Sequence, residues 1–294
     1  MYFLHYACSI VLWKLLGIKL AKRIITFYRF GRDLNLNEPK TLADKVAYLE
    51  YDESPKNKAK CTDKFEVRSY VSRKGLSRIL VPIPNGGGPF YSFEEIDFKE
   101  LPSSFVLKAT HGSGMNIIVK NKEQLNVEQC RLRVNQWLNT VYGRMYLESH
   151  YWDISPRVYA EEYLGPIDVC PIDYKIHCFN GTPEFIQVIT GKSEIDGSKT
   201  QMHLFDTNWT FLKNAVKGYG HTLPGNGNIL RPKKLKEMLK IAKCLSSEFK
   251  YVRVDLYFIE DKIYFGEMTF TPSGCVFPYL SDDFLLKMGS KLKI

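Results

Sequence analysis

Two β-rich runs near the end of the sequence constrain the fold most strongly, because together they predict a hairpin. Over residues 252–258 apolar side chains alternate with polar ones, and this period of two predicts a half-buried strand with the two sets on opposite faces. Arg253 and Asp255 therefore share the polar face. The second run, residues 263–270, follows the short polar sequence Glu260-Asp261-Lys262, which suits a hairpin loop.

The length of that loop decides which acidic side chains meet. A loop of three residues pairs Ile259 with Ile263 and sets Asp255 directly opposite Glu267. Side chains paired across strands lie ~4.5 to 5.5 Å apart, so two carboxylates there repel unless a cation lies between them. Mg²⁺ prefers oxygen ligands and shares its shell with water and phosphates, so this register predicts a Mg²⁺–nucleotide site. The alternative is a two-residue loop, which turns Glu267 to the other face and leaves an ordinary solvated hairpin.

The composition limits the kind of protein that carries this hairpin. With 294 residues and 45% hydrophobic content, the chain can bury a core divided among two or three subdomains. The formal net charge of +9 suits an anionic partner such as a nucleotide, an acidic glycan, a nucleic acid or a membrane surface. The cysteines lack metal-binding spacing and predict reduced thiols in a cytoplasmic protein. They are Cys8, Cys61, Cys130, Cys170, Cys178, Cys244 and Cys275.

The N-terminal segment combines an apolar run with basic residues. Residues 2–13 carry no formal charge, and basic residues follow them. The run is too short to span a membrane, which takes ~20 apolar residues, and a signal peptide would carry its positive charge before the apolar run. The pattern predicts an amphipathic helix within residues 1–30 that lies on the inner face of a membrane. The alternative is a helix docked on the domain or on a partner subunit.

Two helix starts are indicated by capping residues. Thr41, with Asp44 three residues later, predicts a capping box. Thr62 predicts a second start, which would place Lys64 and Arg68 one turn apart on a helix. Taken alone, this basic pair is most simply a solvated helix face.

A glycine-containing turn lies between two further β-rich runs within residues 104–121. Gly112, Ser113 and Gly114 would let backbone N–H groups approach an anion, and Lys108 would add the charge that a phosphate needs. The spacing matches neither a P-loop nor a dinucleotide fingerprint, so a plain hairpin turn is the alternative. His111, in the same turn, would either reach a phosphate or the substrate, or be exposed to water.

The order of these motifs resembles that of the TupA-like ATP-grasp family of bacterial polysaccharide biosynthesis. The resemblance covers most of the chain, from the region of residues 35–44 to residue 274, and is more specific than any one motif. The matching residues are Thr62-Asp63-Lys64, Lys108 with its glycine-containing loop, Glu161-Glu162-Tyr163-Leu164, Asp173-Tyr174-Lys175, Arg253-Val254-Asp255 and Gly266-Glu267-Met268-Thr269-Phe270.

The resemblance implies an α+β ATP-grasp fold of three subdomains, with ATP held between two mainly antiparallel sheets. After the N-terminal helix, an α/β subdomain would occupy residues 31–103. A lid subdomain with the glycine-containing loop would occupy 104–165, and a C-terminal subdomain with the Mg²⁺-binding hairpin would occupy 166–294. The hinge-like sequence Gly165-Pro166 would separate the last two.

The same resemblance assigns ligands to residues. Lys64 and Lys108 would contact the α- and β-phosphates, and the backbone of residues 161–164 would hold adenine. The full nucleotide-binding set is Lys64, Lys108, His111, Gly112, Ser113, Gly114, Glu161, Glu162, Tyr163 and Leu164. The metal ligands would be Asp255, Glu267 and Thr269. Thr269 stands where many ATP-grasp enzymes carry an asparagine ligand, which leaves the number of metal ions open.

Lys175 and Arg253 would be the catalytic residues, stabilising charge on the γ-phosphoryl group. The implied reaction joins a carboxylate to an amine through an acyl phosphate, at the expense of ATP and with Mg²⁺. The expected acceptor is a uronic acid of a bacterial surface polysaccharide of the capsule, O-antigen or teichuronic type. Residues 189–230 would form its pocket or a mobile lid.

Three alternatives to a ligase stay open. They are an ATP-dependent glycan kinase of the same fold, a glycosyltransferase-associated polysaccharide protein and a non-enzymatic binding module. The sequence lacks a convincing DxD motif, which counts against a glycosyltransferase. The expected partners are ATP, an anionic glycan or its precursor and an amino acid or amine, with no nucleic acid. The expected location is the cytoplasm, with peripheral contact at the inner face of the membrane.

Overall fold

The computed structural model describes residues 2–165, 172–191 and 200–294, with side chains from residue 8 onward. The chain divides into two compact units. The larger unit comprises Met1–Ser54, Arg144–Glu148 and Pro171–Ile294, and the smaller unit comprises Pro55–Gly143 and Ser149–Cys170. The subdomain boundaries expected at residues 30, 103 and 165 stay a prediction. Pro166 of the predicted hinge and Cys170 lie outside the described residues.

The described residues contain eight α-helices and nine strands. The helices are α1 (Tyr2–Leu16), α2 (Ile18–Phe30), α3 (Leu42–Asp52), α4 (Pro55–Thr62), α5 (Val67–Arg73), α6 (Val127–Leu138), α7 (Leu235–Ser246) and α8 (Asp282–Lys291). The strands are β1 (Phe105–Ala109), β2 (Asn116–Val119), β3 (Val158–Glu162), β4 (Asp173–Phe179), β5 (Thr182–Thr190), β6 (Thr200–Asp206), β7 (Thr222–Pro224), β8 (Tyr251–Ile259) and β9 (Lys262–Thr269).

The strands form one sheet in each unit. In the larger unit the order is β7-β6-β5-β4-β8-β9, and every neighbouring pair is antiparallel except β6 and β7. In the smaller unit the order is β2-β1-β3, with both pairs antiparallel. The predicted α+β class with two mainly antiparallel sheets is therefore confirmed.

Helices cover the six-stranded sheet because their apolar residues recur at helical spacing. Helix α7 packs against β4, β5 and β8. Helices α3 and α8 pack against each other in a core that also contains Phe179, Phe185 and Tyr251 from the sheet. Residues 251–256 of β8 are consequently buried whichever way their side chains point. The prediction of a half-buried strand is wrong for this reason.

Helix α3 begins with the predicted capping box. The Thr41 hydroxyl accepts a hydrogen bond from the backbone N–H of Asp44 at 3.1 Å, and the Asp44 carboxylate accepts one from the N–H of Thr41 at 2.9 Å. These two bonds satisfy N–H groups that the first turn of a helix leaves unpaired. The prediction is confirmed.

The helix start predicted at Thr62 is wrong. Thr62 is instead the last residue of α4, and α5 begins only at Val67. The Asp63 carboxylate accepts hydrogen bonds from the N–H groups of Phe65 and Glu66 at 2.8 and 3.0 Å. The capping side chain is therefore that of Asp63, and it stabilises the turn between α4 and α5.

The N-terminal segment, predicted as one amphipathic helix, forms the two helices α1 and α2. They are separated at Gly17, whose φ of 78° is unfavourable for other residues. No helix among the described residues combines the length and apolarity needed to cross a bilayer.

Candidate functional site

The loop of the β8–β9 hairpin differs from the predicted one. It has two residues rather than three, Glu260 and Asp261, and both have positive φ. Such a loop matches the twist of the flanking strands. By itself it would turn Glu267 away from Asp255.

A β-bulge reverses this effect. Leu256 pairs with Phe265, whereas the next pair along β8 is Asp255 with Glu267, so Gly266 is an extra residue in β9. A Cβ atom at Gly266 would lie 3.1 Å from the backbone oxygen of Asp255, which favours glycine there. The predicted pairing of Asp255 with Glu267 is confirmed, although the predicted loop is wrong.

Arg253 binds Asp255 in a bidentate ion pair on the same sheet face. Its Nε donates to Oδ1 and its Nη2 to Oδ2, both at 2.7 Å. Nη2 also donates to Oε1 of Glu267 at 2.8 Å and to the hydroxyl of Thr269 at 3.0 Å. The guanidinium thus lies between two carboxylates that would otherwise repel each other.

Lys175 reaches the same carboxylate from the neighbouring strand. The register of β4 and β8 sets it opposite Asp255, and its Nζ lies 2.5 Å from Oδ2 of Asp255 and 2.5 Å from Oδ2 of Asp173. Asp173 was not among the predicted site residues. The signal was present, because a period of two places Asp173 and Lys175 on one face of β4.

The metal-binding and catalytic residues predicted from sequence therefore meet on one face of the six-stranded sheet. They are Lys175, Arg253, Asp255, Glu267 and Thr269.

The burial of these side chains shifts their pKa values. Asp255 is 1% exposed, and Lys175 and Arg253 are each 8% exposed. Burial raises the pKa of Asp255, while Arg253 and then Lys175 lower it. Burial lowers the pKa of Lys175, but Asp255 and Asp173 outweigh it and keep that pKa above its ordinary value. Lys175 is therefore a charged ammonium at neutral pH.

His177 supports the cluster from the next position on the same face of β4. Its ring stacks on Phe185 with centroids 4.1 Å apart. Nδ1 lies 2.9 Å from the Tyr251 hydroxyl and Nε2 lies 3.2 Å from Oε1 of Gln187. Burial, followed by the charge of Arg253, holds its pKa well below the usual range. A neutral ring fits if Nε2–H donates to Gln187 and Nδ1 accepts from Tyr251.

The donor set of Asp255, Glu267 and Thr269 fits Mg²⁺ better than a closed metal cage. Among the described residues, no group of three or more His, Cys, Asp or Glu side chains is arranged to hold a metal. Mg²⁺ in nucleotide sites needs only one or two carboxylates, because water and phosphates complete its shell. Two carboxylates and a hydroxyl, all oxygen donors, meet that requirement.

In the smaller unit, Lys108 forms an ion pair with the carboxylate of Glu161. Lys108 on β1 pairs with Tyr159 on β3, and the Tyr159 hydroxyl donates to Oε2 of Glu161 at 3.2 Å. The sequence prediction used the backbone of Glu161 and did not include Tyr159. Tyr159 and Glu161 are two positions apart on β3, so the alternation of side chains along a strand could have placed them on one face.

The glycine-containing loop joins β1 to β2 and contacts Lys64. The backbone N–H of Lys64 donates to the Thr110 carbonyl at 3.0 Å, and its Nζ donates to the Gly112 carbonyl at 2.6 Å. Ser113 and Gly114 are exposed. The structure thus brings Lys64 to the loop predicted to bind phosphate.

His111 does not extend into water from this loop. Its ring is 1% exposed, and its Nε2 lies 3.0 Å from the carbonyl oxygen of Trp137. Burial lowers its pKa. The water-exposed alternative is therefore wrong, and contact between His111 and a phosphate stays a prediction.

The turn that carries Lys64 is held by Arg157, which the sequence did not single out. Arg157 Nη2 donates to Asp63 at 2.7 Å, and its Nη1 donates to Glu66 at 3.0 Å. Asp63 is 3% exposed, so this is a buried ion pair that fixes the turn. Arg157 precedes β3 by one residue, and only the tertiary structure reveals its contact with Asp63.

The predicted adenine-binding residues follow β3. Glu162 is exposed, and Tyr163 and Leu164 are partly buried. The backbone N–H of Glu162 donates to the carbonyl of Pro82 at 2.9 Å. Adenine binding by residues 161–164 stays a prediction.

Comparison with known proteins finds similar solved structures at low sequence identity. The Bacillus anthracis D-alanine–D-alanine ligase complexed with ATP is 17% identical, with a TM-score of 0.41, and the match covers 79% of this chain and 66% of that one. The biotin carboxylase domain of the Hydrogenobacter thermophilus 2-oxoglutarate carboxylase is 14% identical, with a TM-score of 0.46 and coverages of 79% and 45%. The ATP-grasp ligase PsnB, complexed with a precursor variant, Mg and ADP, is 13% identical, with a TM-score of 0.41 and coverages of 81% and 60%.

The chain spans less than two thirds of the length of these three solved structures. No curated protein matches it in sequence. The protein family described as TupA-like ATPgrasp matches residues 44–293, which is most of the chain. The chain therefore belongs to the TupA-like ATP-grasp family.

Proposed function

We propose that this protein is an ATP- and Mg²⁺-dependent carboxylate–amine ligase that forms an amide through an acyl phosphate. The observation that carries the proposal is the pairing of the buried Asp255 with the half-buried Glu267, together with Lys175 and Arg253 on the same sheet face. Membership of the ATP-grasp family supports ATP as the phosphoryl donor.

Asp255, Glu267 and Thr269 are the residues that would hold Mg²⁺. When bound with ATP, the metal would offset the charge of the β- and γ-phosphate oxygens. Both carboxylates pair with Arg253 here, so a bound Mg²⁺ would take the place of part of these contacts. Thr269 donates to Glu267 at 3.0 Å and thereby orients that carboxylate.

Lys175 and Arg253 would stabilise charge in the phosphoryl transfer. An oxygen of the acceptor carboxylate bonds to the γ-phosphorus, the bond from that phosphorus to its bridging oxygen breaks, and ADP leaves. Negative charge shifts toward the leaving oxygen, and buried cations stabilise it more strongly than exposed ones because the surroundings are less polarisable than water. The amine then bonds to the acyl carbon, phosphate leaves and the amine proton passes to solvent.

Within the smaller unit, the glycine-containing loop would bind phosphate. Lys64 lies against the glycine-containing loop, and the exposed Ser113 and Gly114 leave room for a phosphate near backbone N–H groups. Lys108 would exchange part of its contact with Glu161 for a phosphate oxygen, because a phosphate carries more charge than one carboxylate.

The acceptor in this proposal is a uronic acid of a bacterial surface polysaccharide or its precursor, joined to an amino acid or amine. The net charge of +9 supports an anionic acceptor by long-range attraction. Its binding pocket would involve residues 189–230, of which residues 192–199 lie outside the described part of the chain. The proposed location is the cytoplasm, where ATP is available.

Trapping with hydroxylamine tests the ligase without knowing the amine. The purified protein would be incubated with ATP, Mg²⁺ and a panel of uronic acids, with hydroxylamine in place of the amine. An acyl phosphate gives a hydroxamate and ADP in equal amounts, and mass spectrometry identifies the product. We expect hydroxamate from at least one uronic acid.

Matched variants connect the product to the site. Glu267→Gln should abolish hydroxamate formation, whereas Glu184→Gln should not, because Glu184 is paired with Lys291 on the surface. ADP formed together with a phosphate ester and no hydroxamate would refute the ligase in favour of the glycan kinase. Folded protein that forms no ADP with any acceptor and shows no Mg²⁺-dependent thermal shift with ATP would refute both.

A further inference from the structure

The N-terminal helices carry exposed apolar side chains at helical spacing. On α2 these residues follow the spacing i, i+4, i+7 and i+8, which places them on one stripe. Helix α1 also exposes two apolar residues four positions apart. The outer face is defined here as Val11 (54% exposed), Leu15 (75%), Leu20 (46%), Ile24 (37%), Phe27 (62%) and Tyr28 (82%).

The opposite side of α2 packs against the rest of the larger unit, so the apolar stripe of α2 has a fixed orientation. Ala21, Ile25 and Thr26 are buried. Lys22 is 1% exposed, and its Nζ donates to the carbonyls of Tyr146 at 2.6 Å and Gly274 at 2.7 Å. A helix docked by its inner side would ordinarily present polar residues to water. This one presents a contiguous apolar stripe, which marks an interaction surface.

The charge of residues 1–30 indicates which kind of partner binds the outer face. Residues 1–30 contain five basic residues and no acidic residue. Lys14 and Lys19 are exposed, whereas Arg23 is paired with Asp33 at 2.8 Å. A second copy of the chain bound through the same face would bring two positive segments together, which is unfavourable. An anionic lipid surface offers both apolar chains and negative headgroups.

We propose that the outer face docks the protein on an anionic lipid bilayer. Helix α2 would lie in the plane of the interface with its stripe between the headgroups, and exposed Lys14 and Lys19 would contact anionic headgroups. The contact is peripheral, consistent with the absence of a membrane-crossing helix among the described residues. The proposal rests on this surface alone and is independent of the ligase activity.

Sedimentation with lipid vesicles tests the proposal. Wild-type protein would be mixed with vesicles of phosphatidylcholine alone or with one quarter phosphatidylglycerol. We expect binding to the anionic vesicles that weakens as salt is added. In the double variant Leu20→Ser/Phe27→Ser the partition coefficient should fall at least about tenfold, since each buried CH₂ contributes ~0.8 kcal/mol.

Leu230→Ser is the matched control, because Leu230 is 90% exposed and lies outside the outer face. It should bind anionic vesicles as the wild type does. Thermal unfolding should be nearly unchanged in both variants, because the replaced side chains are exposed. The thermal shift with ATP should also be kept, which separates this test from that of the ligase.

Three outcomes would overturn the proposal. The first is no binding to anionic vesicles, or equal binding to vesicles of phosphatidylcholine alone. The second is binding that Leu20→Ser/Phe27→Ser leaves unchanged. The third is a wild-type dimer, seen by light scattering, that the double variant converts to monomer, since this would assign the outer face to a second copy of the chain.

Discussion

Replacing Arg253 by methionine tests whether the guanidinium holds the two carboxylates together. Arg253 is 8% exposed and makes four hydrogen bonds, two to Asp255 and one each to Glu267 and Thr269. Methionine adapts to irregular space, so the change removes charge more than volume. Asp255 keeps its contact with Lys175 but faces Glu267 with less positive charge nearby.

The expected loss of stability follows from the burial of the pair. Removing one partner of a buried ion pair costs ~3 to 5 kcal/mol. Because Lys175 still contacts Asp255, we expect a value near the lower end, about 3 kcal/mol. For a unit of this size, such a loss lowers Tm by roughly 6 to 12 °C.

The loss should depend on pH in a defined direction. Burial raises the pKa of Asp255, and Arg253 is the foremost charge that lowers it. In the variant this pKa rises further above that of the unfolded chain. A carboxyl with a raised folded pKa stabilises the fold at low pH, and this contribution is lost as pH rises through the folded pKa. The loss of stability caused by Arg253→Met should therefore become smaller as pH falls.

Urea unfolding between pH 4.5 and 7.5 measures both effects. Arg231→Met is the control, since Arg231 is exposed and its replacement should change stability by no more than about 0.5 kcal/mol. A loss below about 1 kcal/mol at pH 7 would contradict the magnitude expected for a buried pair. A loss of stability of the same size at every pH would show that the titration of Asp255 does not cause the pH dependence.

Three further predictions concern the larger unit, and each is checked by urea unfolding. Thr41→Ala removes the capping box of α3 and should cost ~1 kcal/mol; an unchanged midpoint would show that the cap is dispensable. Gly266→Ala places Cβ 3.1 Å from the Asp255 backbone oxygen and should cost ~1 to 3 kcal/mol, whereas a gain in stability would argue against the bulge. His177 has a lowered pKa, so wild-type stability should decline as pH falls below about 6.5, by at most about 1.4 kcal/mol per pH unit. His177→Gln should flatten that slope, and an equal slope in both proteins would assign it to another group.

Features encoded in a few adjacent residues were predictable from the sequence. The capping box of Thr41 and Asp44 depends on a separation of three residues, and the structure contains it. The pairing of Asp255 with Glu267 was also predicted, but from a three-residue loop. A two-residue loop and a bulge give the same partners. Gly266 within a strand pattern was the available signal, because isolated glycines in strands often mark bulges.

Features that depend on distant segments could not be derived from local pattern. Lys175 meets Asp255 because β4 and β8 are neighbours, although the two residues lie 80 positions apart. For His111 the sequence left open a contact with a phosphate or the substrate and exposure to water, yet its ring is buried against the carbonyl of Trp137 from α6. Family resemblance supplied Lys175, whereas the contacts of His111 and Arg157 required the tertiary structure.

The buried Lys22 has a consequence for where this chain can be shortened. The family match begins at residue 44, so a protein trimmed to the matched residues would lack Lys22 and the cap residue Thr41. The carbonyls of Tyr146 and Gly274 would lose their shared donor, and the core would lose Leu34, Leu36 and Leu42. Gly274 lies five residues after the end of β9. The limit of sequence similarity is therefore not a limit of the folded unit, because the first 43 residues belong to the same compact unit as the hairpin.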